Sequence, residues 1–199
     1  MGRIRYLFFF SMLAGSFFLP AGIAFAAEQA VTPVSEKSAF VFRGIDYEHR
    51  WSKGGQHEFT PPGQADLSAW LDMITINIAE DVRDGEQLAL LANRVLSAYQ
   101  RAGKVLRTDS KPRTTDRAAE HLVVVVLGTP KFLETVFARF VINDGTGTVI
   151  LYARRVYGNS VGPEMSEWLL SNGLEVEQAL MSWDRFPLPR DLKRLPQSH

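Results

Sequence analysis

The stretch that decides the fold is ETVFARFVINDGTGTVILYARRV, residues 134–156. Residues 134–143 and 148–156 are rich in β-branched and aromatic side chains, and Asp144-Gly145-Thr146-Gly147 between them supplies residues that tolerate positive φ, so the stretch reads as an antiparallel hairpin. A loop centred on Gly145 and Thr146 pairs Asn143 with Thr148, Arg139 with Tyr152 and Phe137 with Arg154. The period-2 alternation of a strand then sorts the side chains. Val136, Ala138, Phe140, Val149, Leu151 and Ala153 share one face, a core face. Phe137, Arg139, Val141, Ile150, Tyr152 and Arg154 share the other. Two arginines among aromatics suit an anion, a carboxylate-bearing ligand or an acidic partner surface. The competing reading is a helix laid over this face, with the arginine stems reaching its rim. Arg139, Arg154, Phe137 and Tyr152 are therefore the candidate ligand- or partner-binding residues.

Working outward, residues 122–127 form an unbroken β-branched run, as expected of a strand covered on both faces. Residues 84–102 read as a helix: Leu88, Leu91, Ala92, Val95 and Leu96 fall on one stripe, Asp84 stands as cap with Gln87 three residues on, and Gly103 follows the last turn. Residues 107–119 read as a polar connection. In residues 71–79, Ile74, Ile76 and Ile78 alternate with Thr75 and Asn77, the pattern of a strand with one buried face. Residues 47–53 and 56–60 flank Gly54-Gly55, a second hairpin signal, and Pro61-Pro62-Gly63 stops its second strand.

Downstream, residues 163–183 read as a helix with Pro163 in its first turn and Met165, Trp168, Leu169, Val176 and Leu180 on one side. Gly173 lies inside it and is a place for a kink. The fold class is thus α+β, a mainly antiparallel sheet packed with two long helices in the order β-β-β-α-β-β-β-α. This order, with the closing segment Glu177-Gln178-Ala179-Leu180-Met181-Ser182-Trp183, resembles the PsbP/Mog1-like fold over residues 47–183. The resemblance implies an accessory, non-catalytic binding or assembly role and names no active site.

The ends read differently. Arg3 and Arg5 precede an uncharged, Phe- and Leu-rich run that closes with Ala24-Phe25-Ala26, the pattern of a secretory signal over residues 1–26. Pro20 and Gly22 break the apolar run short of a stable membrane span, which favours cleavage before Ala27 over an anchor. Residues 27–40 read as a flexible spacer, residues 41–185 as one globular domain, and residues 186–199, with three prolines, as an extended tail. Loss of Arg3 and Arg5 takes the 22 basic residues to 20 against 22 acidic ones, a formal net charge of −2. A chain so close to neutral has no field to grip nucleic acid by its phosphates. The absence of cysteine removes disulfides, thiol catalysis and thiolate metal sites.

The remaining chemistry-bearing residues point to no reaction. In the Gly54-Gly55 register Ser52 faces His57 and Trp51 faces Glu58, which puts His49 and His57 on opposite faces, unable to share a metal ion. His121, near Asp116 and several hydroxyls, admits a Ser/His/Asp assembly or a plain strand-edge histidine, and no Gly-x-Ser-x-Gly turn presents a nucleophile. Neither glycine turn opens a helix that could hold phosphate, and Asp109 and Asp144 lack the acidic spacing of a calcium loop. Residues 107–117 carry basic residues among hydroxyls and are a second candidate contact segment. No cofactor is expected. The sequence thus favours an exported, non-catalytic binding or assembly factor of the bacterial cell envelope, periplasmic or secreted, acting on an envelope protein or a small anionic ligand. The alternative is a periplasmic hydrolase with a dispersed site.

Overall fold

The computed structural model describes residues 40–198. The proposed signal, residues 1–26, and the spacer up to Ala39 lie outside the described residues. The elements run β1 (Phe40–Phe42), β2 (Ile45–Lys53), β3 (Gln56–Thr60), β4 (Asp72–Ala79), α1 (Gly85–Ala102), β5 (Gly103–Lys111), β6 (Glu120–Gly128), β7 (Phe132–Asn143), β8 (Thr146–Tyr157), α2 (Val161–Ser182) and the short α3 (Pro189–Leu192). All strands join one eight-stranded sheet in the order β1-β2-β3-β4-β8-β7-β6-β5, every pair antiparallel. The α+β class holds, and no helix among the described residues is long and apolar enough to cross a membrane.

Helices cover both faces. On one, Leu88 and Leu91 of α1 pack over Val123, Val125, Ala138 and Phe140. On the other, Val176 and Leu180 of α2 pack over Leu122, Val124, Phe137 and Ile150. Two-sided cover explains why β4 buries Thr75 and Asn77 along with Ile74 and Ile76, where alternation alone indicates a single buried face. The helix α1 starts as its sequence indicates: Asp84 accepts a hydrogen bond from Gln87 N at 2.8 Å, and Gln87 Oε1 accepts from Arg83 N at 2.6 Å. Gly173 leaves α2 unbroken. A Cβ there would lie 3.7 Å from Leu169 Cδ2 and 4.0 Å from Phe137 Cζ, ordinary contact distances.

Two strands escape the sequence pattern. The three-residue β1 is too short to show a period, and its Phe40 belongs to the sheet and not to a spacer. The edge strand β5 occupies the first part of the supposed polar connection; it is mostly exposed, so nothing selects for alternation. The tail also departs from expectation. Residues 186–198 are not extended away from the body: Phe186, Leu192 and Leu195 are buried and α3 begins with Pro189 at its first turn. The prolines shape a wrap that closes the core on the α2 side.

The turn of the β7–β8 hairpin is Asp144-Gly145, both at positive φ (49° and 68°), so Asn143 pairs with Thr146, Arg139 with Ile150 and Phe137 with Tyr152. The register expected from a loop centred on Gly145 and Thr146 is thereby shifted by two residues. A shift of two preserves side-chain parity, and both faces carry the residues assigned to them.

Candidate functional site

The four residues singled out in the sequence do not make an open surface, because α2 lies across them. Phe137 is 2 % exposed and meets Trp168 edge-on at 6.5 Å. Arg139 is 1 % exposed and is the largest fully buried side chain. Its Nε donates to Glu120 Oε2 at 2.8 Å, and its Nη1 donates to the carbonyls of Leu180 (2.8 Å) and Trp183 (2.7 Å). The guanidinium therefore closes the C-terminal end of α2, where the last carbonyls lack helical partners and the dipole is negative. Lys111 Nζ donates to the Met181 carbonyl at the same end. The side chain does not rise to a rim; it is spent inside the fold.

Arg154 and Tyr152 sit elsewhere on this face, Arg154 four residues along the strand from the partner of Arg139, about 13 Å at strand spacing. Arg154 Nη1 donates to Asp72 Oδ2 at 2.8 Å, and the Tyr152 hydroxyl donates to Asp72 Oδ1 at 2.6 Å. Trp168 stacks on Tyr152 at 6.2 Å and lies 5.8 Å from the Arg154 guanidinium. Burial, and then the Asp72 charge, push the Tyr152 hydroxyl far above its ordinary pKa, so it remains a donor.

The open concavity lies two strands beyond β7, between α2 and the edge strand β5. One part, with a cavity volume of about 400 Å³, is lined by Arg107, Asp109, Lys111, Leu174, Glu177 and Met181. The adjoining part, about 250 Å³, is lined by Leu106, Val124, Phe137, Leu169, Leu170 and Leu174. Its position follows from a β-bulge: Val105 pairs with Val125 and Arg107 with Val124, leaving Leu106 as the extra residue, turned to the α2 side. Leu106 is 42 % exposed, Leu174 62 % and Leu170 90 %. Leu170 and Leu174 stand one helical turn apart, so the three leucines form an apolar stripe open to solvent. The charges around it are already matched. Arg107 Nη2 reaches Asp109 at 3.3 Å and Glu177 at 3.2 Å, and Lys111 is held by the Met181 carbonyl. Of the second candidate segment, residues 107–117, the β5 part thus lines this groove. The alternation of β5 is too weak for the sequence to reveal it, and no composition signal marks Leu106 as bulged.

The histidines fall out in two ways. His121 Nδ1 lies 2.9 Å from Ser110 Oγ across the β5–β6 ladder, but the ring makes no hydrogen bond or ion pair with Asp116, and His121 Nε2 meets no hydrogen-bond partner. A hydroxyl and an imidazole meet; the acid that would orient the ring does not join them. Burial holds the His121 pKa below its ordinary value. His49 and His57, expected on opposite faces, share one. The ladder pairs His49 with Phe59 and Trp51 with Glu58, so Arg50 is a bulge residue and the parity of the strand flips between His49 and Ser52. Ser52 still faces His57, and Ser52 Oγ lies 2.7 Å from His49 Nε2 and 2.7 Å from His57 Nδ1. Among the described residues no three His, Asp or Glu side chains gather in a way that could hold a metal ion.

No protein family's sequence model matches the chain, and no curated protein matches it. Among solved structures, the fold is similar to that of a point mutant of the protein Mog1, with a TM-score of 0.43 and 10 % identity over 75 % of this chain and 93 % of that one. It is also similar to human STARD10, with a TM-score of 0.30 and 11 % identity over 69 % of this chain and 74 % of that one. At these values the likeness to the Mog1/PsbP-like fold is one of chain folding alone.

Proposed function

We propose that the chain is an exported, non-catalytic binding or assembly factor of the bacterial cell envelope, working by protein contact through the groove between β5 and α2. The observation that carries the reading is the stripe of Leu106, Leu170 and Leu174, three large apolar side chains left in solvent beside a concavity. Export rests on the Ala24-Phe25-Ala26 pattern.

The occupant is a partner protein's helix with a narrow apolar face. A further strand is disfavoured, because β5 carries a bulge together with Lys104, Arg107 and Lys111, features that keep a sheet edge from pairing. A small anion is disfavoured because the basic groups of the groove already have carboxylate or carbonyl partners. Leucines spaced one turn apart on α2 instead offer a ridge that packs against a second helix.

The test is a pair of charged substitutions, Leu170→Glu with Leu174→Glu, against Leu90→Glu, an equally exposed leucine on α1 (63 %). All three positions are exposed, so unfolding should shift by no more than about 0.5 kcal/mol. Capture of a discrete partner by the mature chain, read out with its N-terminus at Ala27, should fall more than about tenfold for the α2 pair only. Undiminished capture by the double variant, or an N-terminus still at Met1, contradicts the proposal.

A further inference from the structure

Bulging at Arg50 brings three side chains of the first hairpin into a hydrogen-bonded row, His49 Nε2 to Ser52 Oγ to His57 Nδ1, each step 2.7 Å. Ser52 is 0 % and His57 1 % exposed. The same serine holds the end of the chain by its backbone. Ser198 N donates to Ser52 O at 2.7 Å, and Ser52 N donates to Ser198 Oγ at 3.3 Å. One residue thus couples two imidazoles to the C-terminal segment, whose Leu192 and Leu195 close the core.

We propose that the His49–Ser52–His57 row is a proton-operated latch that holds the C-terminal segment against β2 and releases it on acidification. A serine hydroxyl has one proton, so it donates to one ring and accepts from the other. His57 Nε2 is buried without a partner. A proton there would be a stranded donor, so the neutral ring carries its proton on Nδ1 and donates to Ser52, which donates in turn to His49 Nε2.

Protonation breaks this row from either end. A proton on His49 Nε2 removes the acceptor of the Ser52 hydroxyl. A proton on His57 Nε2 puts a charge in an apolar site with no partner. Around the rings, β4 sets Ile76 beside His57, the C-terminal segment brings Ser198, and Gln56 and Glu58 point to the other face of β3; the Arg50 charge acts on His49 and the His49 charge on His57, while Arg50 is itself paired with Glu48 at 2.8 Å. Burial, and then the His49 charge, lower the His57 pKa to about 4; burial lowers that of His49. A histidine whose folded pKa is depressed contributes its full stabilisation above the unfolded value near 6.5 and loses it as pH falls toward about 4. The latch is closed at neutral pH and opens within that window.

The chain has no cysteine, so Gln197→Cys, at an exposed position, accepts a single spin label in the full-length protein. The label should be immobilised at pH 7, with its mobile fraction rising by up to about tenfold per pH unit between pH 6 and pH 5 while near-ultraviolet circular dichroism shows the body still folded. His57→Gln and His49→Gln should each flatten that dependence, the second guarding against a first that folds poorly. A label whose mobility is constant from pH 7 to pH 4.5, a release that persists in both variants, or a release that coincides with global unfolding overturns the latch.

Discussion

Arg139 shows how a residue read as a recognition group serves as internal architecture. Its position on a face with Phe137 and Tyr152 was legible, since parity along a strand survives a register error of two. What the alternation does not carry is that α2 ends above this arginine and needs its donors. The guanidinium is matched to Glu120, itself 5 % exposed, and to two helix-end carbonyls. Arg139→Ala strands a buried carboxylate and uncaps the helix, so chemical unfolding should show a loss of about 3–5 kcal/mol, the scale for a buried pair broken on one side. Arg139→Ala combined with Glu120→Gln should recover part of that loss. A single variant within about 0.5 kcal/mol of the parent means that the side chain is not enclosed.

Among the elements, α1 and the Gly54-Gly55 turn were legible because each is specified locally: a capping aspartate with a 3.6-residue stripe, and two glycines that adopt φ of 59° and 85°. The strand after α1 was hidden, being polar and on an edge. The residue joining them, Gly103, reads in the sequence only as following the last helical turn. Gly103 is extended at φ −165°, so it ends the helix without any left-handed turn. Its role is close approach, since a Cβ there would lie 2.3 Å from the Val126 carbonyl oxygen, a backbone atom that cannot move aside alone. Gly103→Ala should therefore lower stability by about 1–3 kcal/mol in a denaturant melt, as overpacking does. Stability unchanged by that substitution would show that β5 is not seated on β6 as described.

For the whole molecule, the two bulges decide what the sequence conceals. The bulge at Arg50 brings His49 and His57 onto one face, and that at Leu106 turns a leucine toward α2; neither leaves a mark in composition or period, because each is a one-residue change in pairing against a distant strand. The C-terminal segment was hidden for a related reason, its apolar residues being spaced by prolines and meaningful only beside the sheet they cover. The resulting molecule has both sheet faces covered by helices, with the groove between β5 and α2 as its apolar opening. A photo-activatable amino acid at Leu174, compared with one at Leu90, tests this most directly in cells producing the chain. The account predicts one discrete crosslinked protein from position 174, lost when Leu170→Glu is added, and none from position 90. Crosslinking from position 90 alone, or a 174 product that Leu170→Glu leaves intact, would contradict it.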